Sequence, residues 1–281
     1  MLDYLGSLLA GLLIVWLFGV PAFNSAGHLL DTAIVLRALP SNAVSEVAEA
    51  TDGDAVAIEG EVVVNEPAGE ADRLVDQTDE TVGLYVWRTV KPDMNNTIDV
   101  GSWTNLDSWS LRETRRPLDS GVEWGQFSVH NSDESLYVDP TWLREQYNTV
   151  SFPIEMGGWV GIESARFRHW VWSSPALRLT GDETTRTFDQ IPDLFENIDA
   201  TKYDDYHLNS RPVRDGDTVT VLGRYTVENG ERVIRGGDGA PLAISDQGLD
   251  EYRRYLRRRL LKHGLSGVIA VTIPFALFIL F

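Results

Sequence analysis

A histidine does chemistry only beside a partner that shares its proton, its metal or its substrate. Five occur in this chain, His28, His130, His169, His207 and His263. No two stand at metal-ligand spacing, and neither His-Glu-x-x-His nor Gly-x-Ser-x-Gly occurs. Cysteine is absent, which removes thiol nucleophiles, disulfides, Cys-ligated zinc and iron–sulfur clusters. Asp204, Asp205, Tyr206 and His207 could in principle gather a cation, but without a paired ligand set they read as a solvated acidic loop. A Ser/His/Asp site assembled from distant positions stays open. The sequence therefore assigns no catalytic, metal or cofactor-binding residue, and no cofactor is expected.

Binding chemistry is better represented. Eight of the nine tryptophans lie between Trp87 and Trp172. Most suit a core or a membrane-side anchor. Trp103 and Trp109 differ, because residues 101–110 read as loop, where a large aromatic has less structural reason to be. They are candidate partner-binding residues. The second candidate set is basic: Arg253, Arg254, Arg257, Arg258, Arg259 and Lys262. It runs straight into residues 264–281, which carry no charge. A basic flank followed by an apolar run predicts a membrane helix with its flank in the cytoplasm, and the same charges can hold anionic lipid head groups.

An apolar run also stands at the other end. Residues 5–23 are nineteen uncharged positions, ~28 Å as a helix, about the hydrocarbon thickness of a bilayer. Only Asp3 precedes them, so the basic start of a signal peptide is missing and a retained membrane helix is expected. Pro21 is expected near its end. Residues 25–39 fit a helix with a broad apolar face, ended by Pro40, that either lies on the membrane or packs on the soluble domain.

Between the ends the chain is acidic and strand-rich. The formal net charge is -18, from 24 Asp and 18 Glu against 21 Arg and 3 Lys. Residues 24–249 alone hold 39 acidic and 18 basic residues, a net of -21, so nucleic acid is not an expected partner. Such a surface suits a halophilic host, where salt screens the self-repulsion.

One internal echo organises this region. The run Asp-Gly-Asp-Ala-Val-Ala-Ile-Glu-Gly-Glu-Val-Val-Val at 52–64 aligns without gaps on 215–227, with six of thirteen positions identical. Each copy reads as a turn, an alternating strand, a glycine and a second strand segment, the pattern of a bent strand in a small barrel. Further strands are expected at 82–90, 124–130, 135–138, 158–162, 167–179, 232–235 and 241–245. Residues 139–142 close the 121–140 hairpin unit. A helix follows over 246–262, capped by Ser245 or Asp246, and continues into the apolar end.

The expected fold is mainly β (α+β), with bent-strand, small-barrel elements between two transmembrane helices. Its parts are a membrane helix at 1–24, a connecting amphipathic helix at 25–40, a β-rich domain at 41–249, a basic juxtamembrane helix at 250–263 and a second membrane helix at 264–281. This layout resembles the GIDE-type domain that sits beside the membrane in a mitochondrial E3 ubiquitin ligase and in bacterial and haloarchaeal membrane proteins. The residues that carry the resemblance are Val56–Val62, the aromatic-bearing strand Val82–Val90, and the runs at 135–140, 217–223 and 243–245. The resemblance implies a membrane-side interaction module or a component of a protein-modification system. It does not extend to the ligase's RING, whose zinc ligands are mostly cysteine. The expected partners are membrane lipid and a protein of unknown identity. The basic flank favours a cytoplasmic soluble domain, and the family's mitochondrial member keeps an extracytoplasmic placement open.

Overall fold

The computed structural model describes residues 19–40, 50–69, 81–90, 117–131, 134–147, 171–181, 183–187, 207–237 and 239–280. Among the described residues eleven strands form two sheets. The first comprises β1 (Ala55–Glu66), β4 (Gln126–Asn131), β5 (Glu134–Asp139), β6 (Leu177–Arg178), β9 (Thr218–Glu228), β10 (Glu231–Arg235) and β11 (Ala243–Ser245). The second runs β3-β2-β8-β7, from Pro117–Trp124, Val82–Val90, His207–Arg214 and Thr184–Thr187. The expected β-rich character is thus present.

Five strands of the first sheet close on themselves. The order is β1-β4-β5-β10-β9, and β9 pairs back onto β1. Numbered one to five along the chain, the ring reads 1-2-3-5-4-1, with its third and fifth strands parallel. That is the connectivity of an OB-fold barrel. A short helix, α2 (Thr141–Gln146), follows the third barrel strand and drops Leu143 into the core, with Val129, Leu136 and Ile234 also fully buried. Burying a leucine this way contributes roughly 2 kcal/mol.

The echo in the sequence is a pseudo-two-fold in the barrel. β1 and β9 are antiparallel, and the register places Ile58 opposite Val221, which are equivalent positions of the two copies. Each copy's turn then caps the other's strand. Asp52 Oδ1 accepts from Val227 N at 3.2 Å, and Asp215 Oδ1 accepts from Val64 N at 2.7 Å. Gly53 N donates to Tyr225 O and Gly216 N to Val62 O, both at 2.9 Å. These glycines lie at φ 97° and 83°, where other residues are strained. Gly60 and Gly223 serve the bend instead. A Cβ on Gly60 would stand 2.1 Å from His130 O, and one on Gly223 2.8 Å from Arg235 O.

Two long helices lie beside the barrel. Helix α1 (Val20–Ala38) ends before Pro40 as expected, but Pro21 sits in its first described turn rather than at its end. Helix α3 (Leu249–Leu280) is continuous from the basic stretch into the apolar one. Its first free N–H, on Leu249, donates at 3.2 Å to Glu59 Oε2 on β1. Ser245 and Asp246 are engaged elsewhere, on Gln247 N and on the Thr180–Gly181 turn, so the cap comes from 190 residues away. Among the described residues no helix is long and apolar enough to cross a membrane. The described side chains of α3 end at Ala276, and residues 1–18 and 281 lie outside the description.

Residues 139–142 end the β4–β5 hairpin as expected: β5 stops at Asp139, whose Oδ1 accepts from Thr141 N and Oγ1 at the start of α2. Other expectations shift. The described part of 167–179 is a 3-10 turn (Val171–Ser173) and the two-residue β6, not one strand. The run 158–162 lies outside the described residues.

Candidate membrane-proximal site

Helix α3 brings the six basic residues to one place and then separates them by function. Its buried stripe, Leu249, Tyr252 and Leu256, packs on the core, and Tyr252 OH donates to Pro175 O at 2.6 Å. Burial raises the Tyr252 phenol well above its usual pKa. Arg253 lies next to this stripe and donates to Asp250 Oδ1 at 2.9 Å and to Pro40 O at 2.7 Å, tying α3 to the end of α1. Arg254, Arg257 and Arg258 point outward and are exposed, and Lys262 is half-buried.

Arg259 turns inward and joins three elements. Its Nε donates to Thr32 Oγ1 of α1 at 3.2 Å, its Nη1 to Tyr255 OH at 2.9 Å and its Nη2 to Ser173 O at 2.7 Å. Nη2 also stands 3.4 Å from His28 Nδ1. One turn further on, His263 lies with its ring centroid 4.7 Å from that of His28. Burial, then the neighbouring His28, Arg259 and Lys262, lower the His263 pKa from 6.5 to about 3. Tyr147 closes the cluster on the barrel side. Burial and the nearby Asp31 carboxylate push its phenol upward.

Beyond this joint α1 and α3 run antiparallel with a seam of small and polar residues. Ser25, Thr32, Ser266 and Ala270 are buried, and a Cβ on Gly267 would meet Ser25 Cβ at 3.6 Å. The large apolar side chains face outward instead: Leu30, Ile34, Leu261, Leu265, Val268, Val271 and Phe275 are 54–74% exposed.

Two polar clusters lie elsewhere on the β domain. Arg88 and Arg211 both stand over the Trp172 ring, at 4.4 and 4.3 Å from its centroid, and Glu183 bridges both arginines. On the barrel wall, an open cleft of about 360 Å³ is lined by Trp124, Gln126, Tyr137, Asp139, Glu231 and Val233. Nearby, His130 Nε2 lies 2.9 Å from Ser135 Oγ and 3.2 Å from Ser128 Oγ. Two hydroxyls competing for one nitrogen hold the exposed ring, but no carboxylate among the described residues orients its other nitrogen, so the arrangement lacks the third member of a nucleophile triad. No group of three His, Asp or Glu among the described residues could hold a metal ion. Trp103 and Trp109 lie outside the described residues.

Residue type alone groups the six basic residues as one set and does not reveal the His28–Arg259–His263 joint. Helical spacing carries that distinction: 252, 256, 259 and 263 share one side of α3, and 254, 257, 258, 261 and 265 the other. No protein-family model matches the chain, and no curated protein or solved structure is significantly similar to it.

Proposed function

We propose that this chain is a two-pass integral membrane protein that presents its β-rich domain at the membrane surface as a non-catalytic interaction module. The observation that carries the reading is the inverted pattern of the α1–α3 pair. Helices that pair in water bury Leu, Ile and Val and expose polar residues. Here small and polar residues fill the seam while Leu265, Val268, Val271 and Phe275 face outward. That arrangement is unfavourable in water and suits hydrocarbon, where close-packed small residues and inter-helix hydrogen bonds hold helices together. The antiparallel pairing also brings the described N-terminal end of α1 beside the apolar part of α3, Ser25 against Gly267.

The resemblance to GIDE-type domains supports the same layout and suggests an assembly for protein modification as the setting. In that setting this chain would supply the membrane-side scaffold and another chain the transfer chemistry. Partner binding would fall to Trp103 and Trp109 or to the barrel cleft at Trp124 and Tyr137. Membranes from cells expressing the full chain, washed at alkaline pH, test the anchoring. The protein should stay with the lipid pellet, and its release into the wash would refute integral insertion. Capture of partners from detergent extract, compared between the wild type and Trp103→Ala and Trp109→Ala variants, tests the two tryptophans. Identical partners in all three would assign recognition elsewhere.

A further inference from the structure

We infer that the exposed arc Arg254, Arg257 and Arg258 of α3 is a binding site for the phosphate groups of anionic lipids. The inference rests on the membrane-anchored reading above. The three residues stand at i, i+3 and i+4 and so share one face. They are also the exposed members of the basic set, Lys262 being half-buried. Arg253 is tied to Asp250 and Pro40, and Arg259 to Thr32, Tyr255 and Ser173. Arg254 reaches only the carbonyl of Asp250, at 3.4 Å, and Arg257 and Arg258 make no polar or ring contact among the described residues.

The same face continues through Leu261, 74% exposed, to Leu265 and Val268. From Arg258 to Leu265 the helix rises ~10 Å. The head-group layer of one leaflet is roughly 5–8 Å thick. With Leu265 in hydrocarbon, guanidinium groups on long side chains reach the phosphates, whose geometry an arginine fork matches with two parallel hydrogen bonds. Charge decides between a lipid and a soluble polyanion. Residues 24–249 carry a net of -21 and would repel a free polyanion on approach. A lipid is brought to contact distance by the apolar segments, whatever the long-range field.

The full chain and its R254Q/R257Q/R258Q variant are reconstituted into phosphatidylcholine vesicles containing a minor share of phosphatidylglycerol, then re-extracted, and the co-purifying lipid is quantified by mass spectrometry. Phosphatidylglycerol should be enriched on the wild type over its share of the vesicle. In the variant that enrichment should be lost, with phosphatidylglycerol returning to its share of the vesicle. Equal lipid composition on wild type and variant, with both retained by the vesicles, would overturn this inference and leave the anchoring intact. Failure of the wild type to remain in vesicles after an alkaline wash would overturn the anchoring and this inference with it.

Discussion

Arg259 and His263 lie one helical turn apart and do opposite things to the joint between the helices and the barrel. Arg259 satisfies acceptors on α1, on α3 and at Ser173. Its replacement by Gln leaves the Ser173 carbonyl and the Thr32 hydroxyl without that cation. Arg259→Gln should therefore lower stability by on the order of 2 kcal/mol, read as the unfolding midpoint in detergent. A loss within error would mean that water replaces the guanidinium at no cost. His263 makes stability depend on pH. Its folded pKa of about 3 lies below the unfolded 6.5, so between these values the unfolded chain binds a proton that the folded chain refuses. Stability is then full above pH 6.5 and falls as the pH drops toward 3. The groups that face the ring are His28 from α1 and Arg259 and Lys262 from α3. Thermal unfolding followed across that window should show a shallower slope for His263→Gln than for the wild type. Parallel slopes would assign the pH dependence to other groups.

At the scale of elements, the duplicated turn–strand unit can be tested as a symmetric device. Asp52 and Asp215 each cap the far end of the other copy's strand, at Val227 and Val64. Asp52→Ala and Asp215→Ala should each cost about 1 kcal/mol in chemical denaturation. Their effects should add, because the two caps share no partner. One large and one negligible effect would show that only one strap contributes. This unit was legible in the sequence because Asp-Gly-Asp turns and bend glycines are local signals. What it paired with was not, since strand pairing is a long-range choice. β8 was missed for a physical reason as well. Its run His-Leu-Asn-Ser-Arg-Pro-Val-Arg contains a proline and buries Asn209 and Ser210, so it lacks apolar alternation. β3, with Asp119, Ser120 and Gly121 at its centre, is disguised in the same way. The basic stretch was visible as composition, but its division into an inward Arg259 and an outward Arg254, Arg257 and Arg258 follows from what α1 and Ser173 offer. No local pattern contains those partners.

At the scale of the whole molecule, the chain reads as a closed barrel and a second sheet mounted on a helix pair that wears its apolar side outward. Because cysteine is absent, any cysteine introduced is the only thiol present. A Ser132→Cys variant should resist an impermeant maleimide in intact cells and react once the cells are opened, the result for a cytoplasmic barrel. Labelling in intact cells would place the barrel on the outer side. The central claim, that two paired helices form the anchor, is tested most directly by one cross-link. A Cβ at position 267 lies 3.6 Å from that of Ser25, within the 3.5–4.5 Å that a disulfide needs. In membranes stripped at alkaline pH, a Ser25→Cys, Gly267→Cys chain should oxidise within the monomer to a species of altered mobility that reverts on reduction. Absence of that species in the stripped membranes, or its appearance only in the soluble wash, would contradict the paired-anchor account.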